Sequence, residues 1–295
     1  MKLLNYHFKE HNYVVENNKL INKKIVLISD IHYGTDFKKE KLLLVLDKLK
    51  ELKPDYIALT GDLIDNTNVL KDLVNKDAIK KFLHELTSIT KVIMCIGNHD
   101  QFILKKRAFR CEYEFDSNKE WFKEIRKIPN LVLLDNEIYE EDNLRFIGFT
   151  PSFNYYNKED KDVLLTELKN KLPALNNACY NILLIHSPIN VLDTKTIKET
   201  NLKNVSLILG GHTHNGMTPP ILDDIIKGNK GIFSPDGTWL WKTKNTRGKY
   251  TLEDKTLIIN GAITKIHGCS PKLLVLLNEL FPMSIDIIDL KGAKK

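Results

Sequence analysis

The chain has 295 residues, of which 42% are hydrophobic and 28% charged. That is the balance of a globular protein, not of a collagen-like or low-complexity one, and the length allows one large domain or two small ones. The net charge of +6 comes from 39 Lys and five Arg against 38 acidic side chains, and so strong a Lys bias reads as a solvated surface. A nucleic-acid groove would more often use Arg, whose fork matches phosphate and guanine. The four cysteines, Cys95, Cys111, Cys179 and Cys269, are far apart and show no zinc-ligand spacing. Residues 1–24 mix Lys, His, Asn and Glu among the apolar positions, unlike a signal peptide or a membrane span. The expectation is a cytoplasmic protein without a transmembrane segment.

Apolar, β-branched runs alternate with helix-period segments, which predicts an α/β fold. In chain order the expected elements are strand Lys24–Ser29, helix Glu40–Leu52, strand Tyr56–Thr60, helix Asp77–Leu86, strand Lys91–Ile96, helix Lys119–Lys127, strand Leu144–Phe149, helix Asp160–Leu172, and strands Asn181–Ile185 and Leu207–Leu209. Each helix carries apolar residues at three- and four-residue intervals, so one face should pack on a sheet. Three further strands, Leu257–Asn260, Lys272–Leu277 and Ser284–Leu290, read as a second sheet closing the domain. The segment 218–255 is rich in Gly, Pro and Lys and too long for a connector, which makes it a candidate lid inserted in a single domain of residues 1–295. Its aromatics Phe233, Trp239 and Trp241 would cap a site or hold the loop down.

Five strands end in clusters of Asp, Asn and His: Asp30 with His32, Asp62 with Asp65, Asn98 with His99 and Asp100, then His186, then His212 with His214. The carboxyl ends of strands in an α/β sheet gather along one edge, so these clusters can meet in one crevice. Residues i and i+2 of extended chain point the same way, which would let Asp30 and His32 share a centre, and His212 and His214 likewise. Carboxylate, carboxamide and imidazole without thiolate favour Mn, Fe, Zn or Mg.

A lone His is more often a hydrogen-bonded residue than a ligand, but five of the nine histidines fall in these clusters. Of the others, His7, His11 and His84 read as surface residues and His267 as a candidate site-lining residue. Asp100 reads as an acceptor that fixes its own loop, and Asp55 as a turn residue. The run Lys105, Lys106, Arg107 and Arg110 is either a solvated helix face or a device steering a phosphate-rich substrate.

Taken in order, D-x-H, G-D-x-x-D, G-N-H-D, a lone His after an apolar strand and G-H-T-H, spread from Asp30 to His214, resemble the calcineurin-like metallophosphoesterase superfamily. The stretches ISDIHYG, LTGDLID, IGNHD and GGHTHNG look most like its small bacterial branch, which includes membrane-associated phosphoesterases of lipid-linked substrates. The similarity covers about Asn12 to Leu290. It implies a four-layer α/β/β/α sandwich with mixed sheets and two divalent ions, Mn or Fe favoured over Zn and Mg. One ion would be held by Asp30, His32 and His214, the other by Asn98, His186 and His212, with Asp62 bridging them. His99 would contact the phosphate and protonate the leaving oxygen, Asp65 would orient His99, and a metal-held hydroxide would attack a phosphomonoester or phosphodiester.

The implied substrate is a phosphorylated small molecule, a nucleotide or a lipid head group, with Asn215 a candidate contact and peripheral membrane contact compatible. Nucleic acid is disfavoured, and the oligomeric state is left open. Two alternatives stand beside this reading. A non-catalytic scaffold of the same fold would be expected to have lost ligands, and a nuclease would need a capping domain and a strongly basic cleft.

Overall fold

The computed structural model describes residues 8–34, 39–107, 110–218, 246–265 and 281–292. The expected strand Lys272–Leu277, most of the candidate lid with Phe233, Trp239 and Trp241, and both His7 and His267 lie outside the described residues. The elements are β1 (Phe8–Asn17), β2 (Lys23–Ile28), α1 (Lys39–Leu52), β3 (Tyr56–Thr60), α2 (Leu73–Ile89), β4 (Lys91–Cys95), β5 (Phe102–Arg107), β6 (Arg110–Phe115), α3 (Lys119–Ile125), β7 (Leu131–Leu134), β8 (Ile138–Glu141), β9 (Leu144–Phe149), α4 (Phe153–Lys158), α5 (Lys161–Lys171), β10 (Tyr180–Ile185), α6 (Thr194–Glu199), β11 (Leu207–Gly210), β12 (Gly248–Leu252), β13 (Lys255–Ile259) and β14 (Met283–Gly292). Among the described residues no helix is long and apolar enough to cross a membrane.

Among the described residues, two six-stranded sheets form, in the orders β1-β14-β2-β3-β4-β7 and β12-β13-β11-β10-β9-β8, beside the two-stranded hairpin β5-β6. Each six-stranded sheet contains a run of four parallel strands: β2, β3, β4 and β7 in one, β13, β11, β10 and β9 in the other. Both sheets are mixed, because β14 runs antiparallel to β2 and β12 and β8 run antiparallel to their neighbours.

Side-chain alternation along the strands divides the interior into three apolar layers. Val26 and Ile28 of β2 and Ile57 and Leu59 of β3 pack against Leu46 and Leu49 of α1 and Phe82 and Leu86 of α2. Their alternates, Ile25, Leu27, Tyr56 and Ala58, meet Phe146, Ile182 and Leu184 of the second sheet. On the far side, Ile147, Leu183 and Ile185 pack against Tyr155, Leu164 and Leu168 of α4 and α5. The result is the α/β/β/α sandwich. Burial on both faces also explains why the central strands are continuous apolar runs with no polar alternation.

The two described C-terminal strands do not make a sheet of their own. β13 lies in the second sheet beside β11, and β14 inserts into the first, between β1 and β2. The reason is burial: Ile285 and Ile287 face the helices while Ile288 and Leu290 face the other sheet, so β14 needs cover on both sides. The basic run lies on the β5–β6 hairpin and not on a helix, and its side chains fall outside the described residues. His11 is half-buried, with Nδ1 3.0 Å from Oδ1 of the buried Asp286.

A buried amide joins the sheets where the site lies. Asn260, after β13, donates through Nδ2 to Leu27 O at 3.2 Å and Asp286 Oδ2 at 2.8 Å, and its Oδ1 accepts Ala262 N at 2.9 Å. Asn260→Ala would strand these buried partners, and urea unfolding should show a loss of about 2–4 kcal/mol. A loss below about 0.5 kcal/mol, the usual range for surface substitutions, would contradict this role.

Candidate metal centre

The strands end, and the chain then turns sharply at the residues that carry polar side chains. Asp30, His32, Asp62, His212 and His214 have φ of 55°, 50°, 52°, 69° and 46°. This left-handed region is unfavourable for side chains with a Cβ and is held only where the surroundings fix it. The i, i+2 convergence expected from extended chain is therefore not the means by which these side chains meet. They converge through local kinks, stabilised from outside: Asp30 N donates to Gly61 O at 3.2 Å, His32 N to Asp62 O at 3.0 Å and Tyr33 N to Leu63 O at 2.9 Å.

Close approach of the loops needs glycine, as two positions illustrate. A Cβ on Gly97 would overlap the Asp62 carboxylate, and one on Gly211 would overlap the Ser29 hydroxyl. Asp100 ties the same loops together. Its carboxylate accepts the main-chain N–H of Gly97 and Asp62, both at 2.9 Å, Leu63 at 3.0 Å and Ile64 at 3.3 Å. Burial and the charge of Asp62 push its carboxyl up to about 6, against the pull of the amides.

Among the described residues three groups of potential ligand atoms result, Asp30–His32–Asp62–His214, Asp62–His186–His212 and His32–Asp65–His99; Asp62 belongs to the first and second, and His32 to the first and third. In the first, His214 Nε2 lies 3.2 Å from Asp30 Oδ1 and 3.2 Å from His32 Nε2, which is 3.5 Å from Asp62 Oδ2. In the second, His186 Nε2 lies 3.0 Å from Asp62 Oδ2 and 3.2 Å from His212 Nδ1. Asn98 is buried next to His99 on the loop after β4.

The chemistry of this set fits divalent cations. His186 donates Nδ1–H to Thr60 O at 2.7 Å and His214 donates Nδ1–H to Lys265 O at 3.0 Å, so in the neutral rings each Nε2 presents a lone pair inward. Those lone pairs face carboxylate oxygens, an arrangement that demands positive charge between them. Among the described residues, Asn98 Oδ1 and the Tyr156 hydroxyl are buried with no hydrogen-bond partner. Tyr156 packs its ring 6.3 Å from His186 and 5.7 Å from His212.

The electrostatics point the same way. Burial alone would raise Asp30 and Asp62, but His214 and His186 hold the Asp30 carboxyl below the usual range, and His186 and His99 do so for Asp62. Burial disfavours a charged His186, yet Asp62 and Asp30 outweigh it and lift His186 to about 10. The same two carboxylates thus favour positive charge at the position their oxygens and the imidazoles surround.

Asp30, His32, Asp62, Asp65, His99, Asp100, His186, His212 and His214 contact one another at this joint, and Asn98 is buried on the same loop as His99. His99 donates its main-chain N–H to Asp62 Oδ1 at 2.9 Å, and its Nδ1 meets the main-chain oxygen of Asp65 at 2.5 Å. The Asp65 carboxylate instead lies 3.8 Å from His32 Nδ1 and accepts Asn66 Nδ2 at 3.1 Å. Asn215 takes a hydrogen bond from Arg247 Nη1. Sequence reasoning missed Glu159, whose Oε1 is 2.8 Å from His212 Nε2, and Tyr156. Both come from α4 and its cap, a segment with no Asp-Asn-His cluster to mark it. Tyr113 of the hairpin was missed as well; its ring stands 6.0 Å from that of His99.

The family model of the calcineurin-like phosphoesterases matches residues 23–216, and the chain belongs to that family. It is 27% identical, over 92% of its length, to the uncharacterized metallophosphoesterase Cj0846 of Campylobacter jejuni, of which it spans 60%. It is 23% identical to the UDP-2,3-diacylglucosamine pyrophosphatase LpxG of Chlamydia trachomatis, with 88% of this chain and 84% of that protein covered. The phosphopantetheinyl hydrolase of Mycobacterium tuberculosis superposes with a TM-score of 0.42 at 13% identity, covering 82% of this chain and 90% of that one.

Asp100→Ala leaves four main-chain donors without their acceptor. The expected outcome in thermal and urea unfolding is a loss of about 2–4 kcal/mol, with Asp100→Asn recovering part of it because one oxygen still accepts. An Asp100→Ala variant as stable as the parent would contradict the tie between the loops.

Proposed function

We propose that the chain is a metal-dependent phosphoesterase that works with two divalent cations, one held by Asp30, His32 and His214, the other by Asn98, His186 and His212, with Asp62 shared. The observation that carries this reading is the Asp62 carboxylate, which is shared between the group of Asp30, His32 and His214 and the group of His186 and His212. Family membership supports it. Two such ions, when bound, supply activation of water and neutralisation of the charge that develops on phosphorus-bound oxygens. Mn or Fe suits the mixed oxygen and imidazole donors.

The residues of the chain do the rest. Asp62 is fixed by the His99 N–H and the loop that Asp100 braces. With His99 Nδ1 committed to Asp65 O, Nε2 is the nitrogen that passes a proton to the leaving oxygen. Asp65 orients His99 through its carbonyl, and its carboxylate steadies the neighbouring His32. The substrate is a phosphorylated small molecule, nucleotide or lipid head group. The likeness to a protein named for cleaving a UDP-diacylglucosamine pyrophosphate bond supports the lipid head group.

Metal-stripped protein should cleave neither p-nitrophenyl phosphate nor bis-p-nitrophenyl phosphate and should regain turnover of at least one on Mn addition. His99→Ala should lower kcat by about 10²–10⁴-fold while binding as much Mn as the parent. Turnover indifferent to chelation would defeat the metal-dependent reading. Two ions bound without cleavage of either ester would favour the scaffold instead.

A further inference from the structure

We propose that Glu159 is a positioning residue for the second cation: its carboxylate accepts the Nε2–H of His212 and thereby commits His212 Nδ1 as the ligating atom. This rests on the two-cation reading above. His212 is oriented in the opposite sense to His186 and His214. Those two are held through Nδ1 by main-chain carbonyls and turn Nε2 inward. His212 is held through Nε2, 2.8 Å from Glu159 Oε1, and turns Nδ1 inward to within 3.2 Å of His186 Nε2. Its outer partner is a carboxylate, which can only accept and so fixes the tautomer with Nδ1 as the free lone pair.

Glu159 is itself held tightly. It caps the C-terminus of α4 at a φ of 47°, a conformation unfavourable for Glu unless its surroundings enforce it. Its N–H donates to Tyr155 O at 2.6 Å, its carbonyl accepts Asn190 Nδ2 at 2.9 Å, and its Oε1 accepts the Ser187 hydroxyl at 2.9 Å. Ser187 in turn lies 3.3 Å from the Tyr155 hydroxyl, which donates to Ile189 O at 2.9 Å. The carboxylate thus comes from α4, while the imidazole comes from the loop after β11. The packing of α4 on the sheet therefore places the group that orients His212.

The test is Mn binding to the full chain, followed by equilibrium dialysis and electron paramagnetic resonance, for the parent, Glu159→Gln and Glu159→Ala. The parent should bind two ions. Both variants should keep the first with unchanged affinity and bind the second about 10–100-fold more weakly, with Glu159→Gln the milder because an oxygen still accepts. Adding Glu159→Ala to His212→Ala should cost nothing further, since the two act as one unit. A Glu159→Ala variant that binds two ions as tightly as the parent overturns the inference and leaves the two-cation reading standing. Equal weakening of both ions together with a lower melting temperature of the metal-free variants overturns it too, in favour of a purely structural role. A parent that binds fewer than two ions overturns the two-cation reading, and this inference with it.

Discussion

Asp30 and Asp62 are buried carboxylates at the joint between two sheets, and each faces imidazole nitrogens whose opposite nitrogen is already hydrogen-bonded to the main chain. Unbalanced charge in such a place is costly, and facing lone pairs repel unless a cation or a proton lies between them. The surrounding structure serves this constraint. Gly97 and Gly211 let the loops close to a distance that any side chain would prevent, and Asp100 holds two of those loops by four amides. Five left-handed residues store strain that only a rigid surround can maintain.

The sandwich provides that surround. Asp30, Asp62 and Asn98 follow strands of the first sheet, whereas His186, His212 and His214 follow strands of the second. The centre therefore exists only when the two sheets are packed, and Asn260 bonds across them beside it. Cation binding and sheet packing are thermodynamically linked in such an arrangement: any ion that binds the assembled centre and not the unfolded chain stabilises the whole domain.

Much of this was legible in the residues. Strands such as Tyr56–Thr60 and Leu144–Phe149 could be placed to the residue because burial on both faces leaves no polar alternation to confuse the pattern. The clusters at their ends stood out because short loops concentrate ligands within a few positions. The edge strand β1 was not legible, since its residues alternate weakly between half-buried and exposed. β14 was legible as a strand but not as a member of the first sheet, for its pairing with β1 and β2 spans most of the chain. The contact between Asp65 and His99 runs through a main-chain oxygen that every residue type offers. Glu159 reaches His212 from an irregular helix end, and no spacing rule connects positions so far apart.

The most direct test of the central claim is the electron paramagnetic resonance spectrum of the parent protein loaded with Mn. A carboxylate shared between two ligand groups predicts a spin-coupled pair, with a multiline spectrum that develops as the second equivalent binds and collapses in Asp62→Asn. A simple six-line signal of isolated Mn at full loading, unchanged by Asp62→Asn, would contradict the account.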